Sequence, residues 1–187
     1  GTDGGLLEQP ILGLTEWLLA PAQRVEIVVT ISSQAAARYT FRDLGYSAGM
    51  NARAGEALFA VETGGNPVQG TPALPDALRP FADVGPATFR QRVVLSGAGM
   101  GMMGRFLING RSFDMDRIDL QTVVGRVELW DLVNASAMDH PIHIHGTQFC
   151  VVGQTERRAP VSVPQRAWLD TVNVPAGETV TIKIRQS

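Results

Sequence analysis

The sequence predicts an all-β protein folded as a sandwich or barrel. Apolar residues recur at every second position in several short stretches, whereas the 3.6-residue period of an amphipathic helix is almost absent. The chain also contains 20 Gly and 11 Pro among its 187 residues, and turn-forming residues separate the alternating stretches. Short strands of this kind pack as layered sheets, and a chain of this length can bury one large core or two small ones.

The N-terminal part of the chain predicts three strands. Residues 24–31 alternate apolar and polar side chains, as expected of a half-buried strand. Two shorter strands are expected at residues 39–44 and 57–62, separated by a loop rich in Gly, Ala and Asn.

A proline-rich stretch then divides the chain. Residues 64–86 carry Pro67, Pro72, Pro75, Pro80 and Pro86 among small residues, a composition typical of a semi-extended linker. We therefore predict a first domain portion at residues 1–68, a Pro/Gly-rich linker at 69–87 and a second domain at 88–187. In the second domain, strands are expected at 89–95, 106–108, 125–134, around 140–144 and at 172–184, with a turn at Asn109 and Gly110.

A repeated sequence pattern suggests two copies of one β-domain. Pro21-Ala22 and Pro175-Ala176 each open a run of alternating apolar residues. The chain continues through residues 39–62 after the first run, but it stops shortly after the second. By this comparison we expect the second domain to lack its last strands.

Composition excludes some partners. Lys and Arg number 16 against 18 Asp and Glu, giving a net charge of -2, which is not the balance of a nucleic-acid-binding protein. No apolar run approaches the roughly 20 residues that a membrane-spanning helix needs. No nucleic acid and no membrane span are therefore expected.

All three histidines lie in one stretch, residues 139–146, which reads DHPIHIHG. On a β-strand, side chains two residues apart share a face, so His143 and His145 point one way and His140 the other. His140 also lies roughly 10 Å along the strand from His143. This geometry predicts two metal centres, one on each face of the strand. Imidazole suits both copper and zinc, and a role without metal stays open as well.

The string HPIHIHG resembles the third-domain copper motif of the multicopper oxidases, H-P-x-H-[LI]-H-G. In that family the first histidine binds the type 1 copper, the second the type 2 copper and the third a type 3 copper. The resemblance thus assigns these roles to His140, His143 and His145. It also implies copper as cofactor and cupredoxin-like Greek-key domains.

The resemblance covers most of the chain. Residues 1–68 look like the end of a middle cupredoxin domain, and residues 88–187 like most of a third one. The runs FLINGRSFDMD and HPIHIHGTQF look most similar to the bacterial copper-efflux oxidases. The family's H-C-H motif with its axial Met, and its first-domain H-x-H pairs, are not found in this chain. The remaining ligands are therefore expected from missing cupredoxin segments of the same protein or of a partner chain.

The activity implied by the resemblance is oxidation of Cu(I) or phenols at type 1 copper, coupled to reduction of dioxygen to water. No catalytic residue is assigned beyond the metal ligands, and a periplasmic or secreted location is expected from the family alone. Thioethers bind Cu(I), so a substrate-copper role is considered for four methionines. These are Met138, Met100, Met102 and Met103.

Ser136 stands where the efflux oxidases carry an acidic residue. Cys150 lies ten residues beyond His140, on the order of 30 Å along an extended strand, so we expect a small buried hydrophobe and not a type 1 ligand. Two alternative functions stay open: a copper-free cupredoxin scaffold, as in relatives that act in cell division, and a simple copper- or zinc-binding module.

Overall fold

The computed structural model describes residues 1–31, 36–48, 51–64, 70, 72–98, 105–155 and 166–186, and all regular secondary structure in them is β-strand. The all-β prediction is confirmed. In the same residues no helix has the length and apolar character to cross a membrane. The strands are β1 Arg38–Ala48, β2 Asn51–Glu62, β3 Phe89–Ala98, β4 Arg105–Ile108, β5 Val127–Asn134, β6 His140–His143, β7 Phe149–Gln154, β8 Thr171–Val174 and β9 Thr179–Arg185.

Strands β1 and β2 form an antiparallel hairpin, from the pair Arg38 and Glu62 to the pair Ala48 and Asn51. The two short strands predicted here are confirmed and are longer than expected. The predicted strand at 24–31 is wrong, because in the described residues only Val25 pairs, in an isolated bridge with Thr2. Alternation alone does not make a strand, since the backbone N–H and C=O groups also need a neighbouring strand.

A five-stranded sheet has the order β4-β3-β5-β9-β7. Strands β3 and β5 run parallel, while the other neighbouring pairs are antiparallel. The turn at Asn109 and Gly110 is confirmed, and both residues have positive φ values, 50° and 76°. The strand predicted at 172–184 is instead two strands, β8 and β9, because Pro175 and the positive φ of Gly177 (75°) turn the chain between them.

The core lies between this sheet and the two-stranded sheet of β6 and β8. Strand β8 is buried along its whole length, and Ile142 and Ile144 pack against the core from the β6 side. Burying one such apolar side chain stabilises the fold by about 1.5–3 kcal/mol. The buried residues of the cluster are Val93, Leu95, Trp130, Leu132, Phe149, Leu169, Val172, Val174, Val180, Ile182 and Ile184.

The described residues of the predicted linker, 70 and 72–87, contain no strand. This segment contacts both parts of the chain. Leu78 N donates to Glu8 O (2.8 Å), the Phe81 ring stacks on Trp168 with centroids 5.2 Å apart, and Lys183 Nζ lies 2.5 Å from Asp83 Oδ1. The division into domains at 68 and 88 stays a prediction.

Glu128 on β5 carries a buried carboxylate with four donors. Its Oε1 accepts from Thr122 Oγ1 (2.6 Å) and Arg126 Nε (2.8 Å), and its Oε2 from Trp130 Nε1 (2.8 Å) and Gln91 Nε2 (3.0 Å). Burial alone would raise the pKa of Glu128, but the hydrogen bonds from Thr122, Trp130 and Arg126 together hold it below its usual value. The carboxylate thus joins β3, β5 and the loop before β5.

We expect Glu128→Gln to lower the free energy of unfolding by about 3 kcal/mol, because an amide NH₂ group would face donors and leave Arg126 without its charge partner. Urea denaturation measures this loss. The exposed Asp116→Asn serves as control and should change stability by less than about 0.5 kcal/mol.

The effect of Glu128→Gln on the free energy of unfolding should depend on pH. A folded-state pKa below the unfolded value of about 4.3 stabilises the protein above that pH, and this contribution is lost as pH falls through the folded value. The stability difference between wild type and Glu128→Gln should therefore shrink below about pH 4. A difference that stays constant to low pH would contradict the role of the ionised carboxylate.

Candidate metal centre

Strand β6 carries His140 and His143, and His145 follows two residues after its end. The strand pairs with β8 antiparallel, with His140 opposite Val174 and His143 opposite Thr171. Pro141 has no N–H to donate, and it is tolerated because β6 lies in a sheet of only two strands. Burial alternates along the stretch: the even positions from His140 to Ile144 are half-buried, and the odd positions from Pro141 to His145 are exposed. Gly146 follows with a φ of 74° and turns the chain away.

His143 and His145 lie side by side on the exposed face, with ring centroids 4.8 Å apart. The Nδ1 atom of His143 is 3.0 Å from Asp170 O and 3.0 Å from Thr171 Oγ1. A carbonyl oxygen can only accept, so the ring proton belongs on Nδ1 and the lone pair on Nε2. Metal-binding histidines are typically held in this way through their second nitrogen.

Asp170 joins this support to the N-terminal segment. Arg24 forms two hydrogen bonds to its carboxylate, at 2.8 Å and 2.5 Å. The hydrogen bond from Arg24 is the main reason that the pKa of Asp170 is lowered, and the same contact raises the pKa of Arg24. Asp3 Oδ2 accepts from the backbone N–H of Thr171 at 3.3 Å. Residues near the start of the chain therefore fix the backbone that holds His143.

His140 has a different environment. Its Nε2 atom lies 2.8 Å from Ser136 Oγ, and the Phe106 ring meets its ring edge to face with centroids 6.0 Å apart. Burial lowers the pKa of His140 despite the opposing charge of Asp139. A lowered pKa favours the neutral ring, which is the form that binds metal.

Asp139, directly before His140, connects several elements. Its carboxylate accepts from Tyr46 Oη of β1, from Asn173 Nδ2 of β8 (2.9 Å) and from the backbone N–H of Ala176 (3.0 Å). The β1–β2 hairpin is thus tied to the start of β6.

The structure describes two of the other candidate residues, Cys150 and Met138. Cys150 is buried on β7, as predicted, and burial raises the pKa of its thiol. Met138 is half-buried, and its carbonyl accepts from Asn134 Nδ2 at 2.7 Å. The predicted methionines Met100, Met102 and Met103 lie outside the described residues.

Sequence reasoning missed the residues that orient the rings. Asp170 and Thr171 lie 27 and 28 residues beyond His143, so no local pattern indicates their contact. Ser136 is four residues before His140, and the sequence marks it only as a departure from the acidic residue of the efflux oxidases. Its position as a hydroxyl residue shortly before the histidine strand is the one signal that could have indicated the contact.

The donor set fits copper in part. Two imidazoles share the exposed face, and a third lies apart in a half-buried position. In the described part of the chain, no group of three or more His, Cys, Asp or Glu could hold a metal ion. A shallow depression of about 460 Å³ adjoins the exposed pair and is lined by His143, Ile144, Gly146, Thr147, Gln148 and Asp170. Among the described residues, the three histidines therefore do not form a complete set of metal ligands.

Comparison with known proteins identifies the family of the chain. A family model described as multicopper oxidase matches residues 82–187. A multicopper oxidase of Staphylococcus aureus is 36% identical over 88 residues, which cover 45% of this chain and 19% of that protein. The cell division protein FtsP of Photorhabdus laumondii is 31% identical over 201 residues, covering 100% of this chain and 39% of that protein.

Among solved structures, the multicopper oxidase from Campylobacter jejuni, a metallo-oxidase, superimposes with a TM-score of 0.82 and 31% identity. The match covers 100% of this chain and 42% of that one, so the chain spans less than half of this relative's length. The cupredoxin-like architecture predicted from the sequence is thereby confirmed. The chain belongs to the multicopper oxidase family, whose cofactor is copper.

Proposed function

We propose that this chain is part of an enzyme that oxidises a reductant at a type 1 copper and reduces dioxygen to water at a trinuclear copper cluster. His140 is the type 1 ligand, His143 the type 2 ligand and His145 a type 3 ligand. Bound copper would supply the one-electron oxidation and the reduction of dioxygen.

One observation carries this proposal: a single strand presents histidines in two separate environments. The exposed pair has ring centroids 4.8 Å apart, close enough for neighbouring metal ions, and His140 contacts Ser136 and Phe106 instead.

The protein side chains hold and orient the ligands. Asp170 O and Thr171 Oγ1 fix the His143 ring through Nδ1, which leaves Nε2 for the metal. The His140 ring lies beside the apolar, exposed Phe106 side chain.

The remaining ligands must come from other segments of the protein or from a partner chain. Cys150 is not assigned as the type 1 thiolate, because it lies ten residues beyond His140 and is buried on β7 with its Sγ toward Lys183 O (3.9 Å). A periplasmic or secreted location is part of the proposal and is supported by the resemblance to copper-efflux oxidases.

We favour Cu(I) over phenols as the reductant. Met138 lies two residues before His140, and a thioether is a soft ligand suited to Cu(I). The relative from C. jejuni is a metallo-oxidase, which supports a metal ion as substrate. Phenols stay the alternative, because the exposed Phe106 ring beside His140 offers an apolar contact surface.

A second candidate function is a copper-free scaffold, favoured by the similarity to the cell division protein FtsP. The orientation of His143 argues against it, because a scaffold does not require an imidazole held through Nδ1 with Nε2 left for a ligand. Copper content of the full-length protein separates the two functions.

In the full-length protein, we expect His140→Ala to abolish the intense blue thiolate-to-copper absorption while copper stays in the cluster. His143→Ala should instead remove the type 2 electron paramagnetic resonance signal and keep the blue band. Oxidase activity should fall about 100-fold or more in both variants, because each loses a copper ligand. The measurements are copper content, visible absorption and electron paramagnetic resonance. Identical copper loss in both variants would refute the separate assignments, and a copper-free wild type would favour the scaffold.

We further expect Met138→Ala to lower cuprous oxidase activity, by about tenfold, while oxidation of phenols holds or rises. The substitution keeps the Met138 carbonyl that Asn134 binds, so the fold around β6 should persist. Met115→Ala is the matched control, since Met115 is 87% exposed. Steady-state kinetics with both reductants is the measurement. Unchanged cuprous kinetics would leave Met138 as a packing residue and shift the preference to phenols.

A further inference from the structure

A buried amide contacts the residues that come directly before His140 in the chain. Asn134, only 1% exposed, donates through Nδ2 to the carbonyls of Met138 (2.7 Å) and Val174 (2.8 Å). Carbonyl oxygens only accept, so these two contacts fix the orientation of the amide. Its Oδ1 atom must therefore face Ser136, where it lies 2.9 Å from the backbone N and 2.8 Å from Oγ.

The hydroxyl of Ser136 has one proton and several neighbours. Oγ lies 2.8 Å from Asn134 Oδ1, 3.1 Å from Met138 O and 2.8 Å from His140 Nε2, and Met138 N donates to it at 3.3 Å. The amide and backbone oxygens can only accept, whereas an imidazole nitrogen can carry its own proton. Both 2.8 Å contacts of Oγ are hydrogen bonds when Ser136 donates its proton to Asn134 Oδ1 and Nε2–H of His140 donates to Ser136, whereas the longer contact with Met138 O then carries no proton.

From this hydrogen-bond chain we infer that Ser136, held by Asn134, is a positioning residue that keeps the proton of His140 on Nε2 and presents Nδ1 to the metal. The inference rests on the proposed function for its use at a type 1 copper. The tautomer itself is a property of the metal-free protein.

The arrangement differs between the two sites. His143 is held through Nδ1 by Asp170, and His140 through Nε2 by Ser136. The two histidines of β6 thus present different ring nitrogens to a metal, Nδ1 in His140 and Nε2 in His143. A hydroxyl suits the His140 position because it accepts from Nε2–H without adding a negative charge, whereas a carboxylate there would favour the protonated, cationic ring.

The test is nuclear magnetic resonance of the metal-free protein with ¹⁵N-labelled histidine, at about pH 8, where a neutral imidazole predominates. The chain contains only three histidines, so single His→Gln variants assign the ring signals. We expect a protonated Nε2 and a bare Nδ1 on His140. Ser136→Ala should speed exchange of the Nε2 proton about tenfold, the factor that one ordinary hydrogen bond gives.

Two variants make the result specific. Ser136→Thr keeps a hydroxyl and should restore slow exchange, and the exposed Ser112→Ala should match wild type. A proton on Nδ1 of wild-type His140, or unchanged exchange in Ser136→Ala, would overturn the inference.

A second readout uses the copper-loaded, full-length protein. Ser136→Ala should shift the type 1 reduction potential and hyperfine splitting, and Ser136→Thr should return both to the wild-type values. If the metal-free protein shows the expected tautomer but wild type binds no type 1 copper, the proposed function fails and the role of Ser136 in fixing the tautomer stands.

Discussion

The two-residue period of strand β6 is the constraint on which the site depends. Because alternate side chains of a strand leave on opposite faces, Ile142 and Ile144 cannot pack on the core without leaving His143 and His145 on the outside. Core packing thus fixes which histidines share a face. A shift of one residue in the pairing with β8 would bury the exposed pair, so the apolar cluster also protects the register of the metal ligands.

The ring orientations depend on parts of the chain that are distant in sequence. Arg24 binds the Asp170 carboxylate, and Asp3 accepts from the backbone N–H of Thr171, the two residues that hold His143. Tyr46 of the hairpin donates to Asp139, which lies directly before His140. The N-terminal segment and the hairpin therefore contact the histidine strand from two directions. Substitutions at these N-terminal residues should therefore change the orientation of the candidate copper ligands, although all three histidines lie in residues 139–146.

Sequence reasoning was strongest where one local pattern determines one local structure. The Asn109–Gly110 turn, the strands at 89–95 and 106–108, the buried Cys150 and the family motif around His140 all follow from local chemistry. It failed at residues 24–31, whose alternation lacks a partner strand among the described residues, and at Pro175–Gly177, where a turn divides one predicted strand. The supports of the rings could not be predicted, because Asp170 meets His143 only through the pairing of β6 with β8.

The central claim is that one strand serves two separate copper sites. Anomalous X-ray diffraction at the copper absorption edge, from crystals of the copper-loaded full-length protein, tests it most directly. The account predicts a copper peak beside His140 Nδ1 and distinct peaks beside His143 and His145, on the other face of β6. A single copper bound by His140 together with His143 would contradict it.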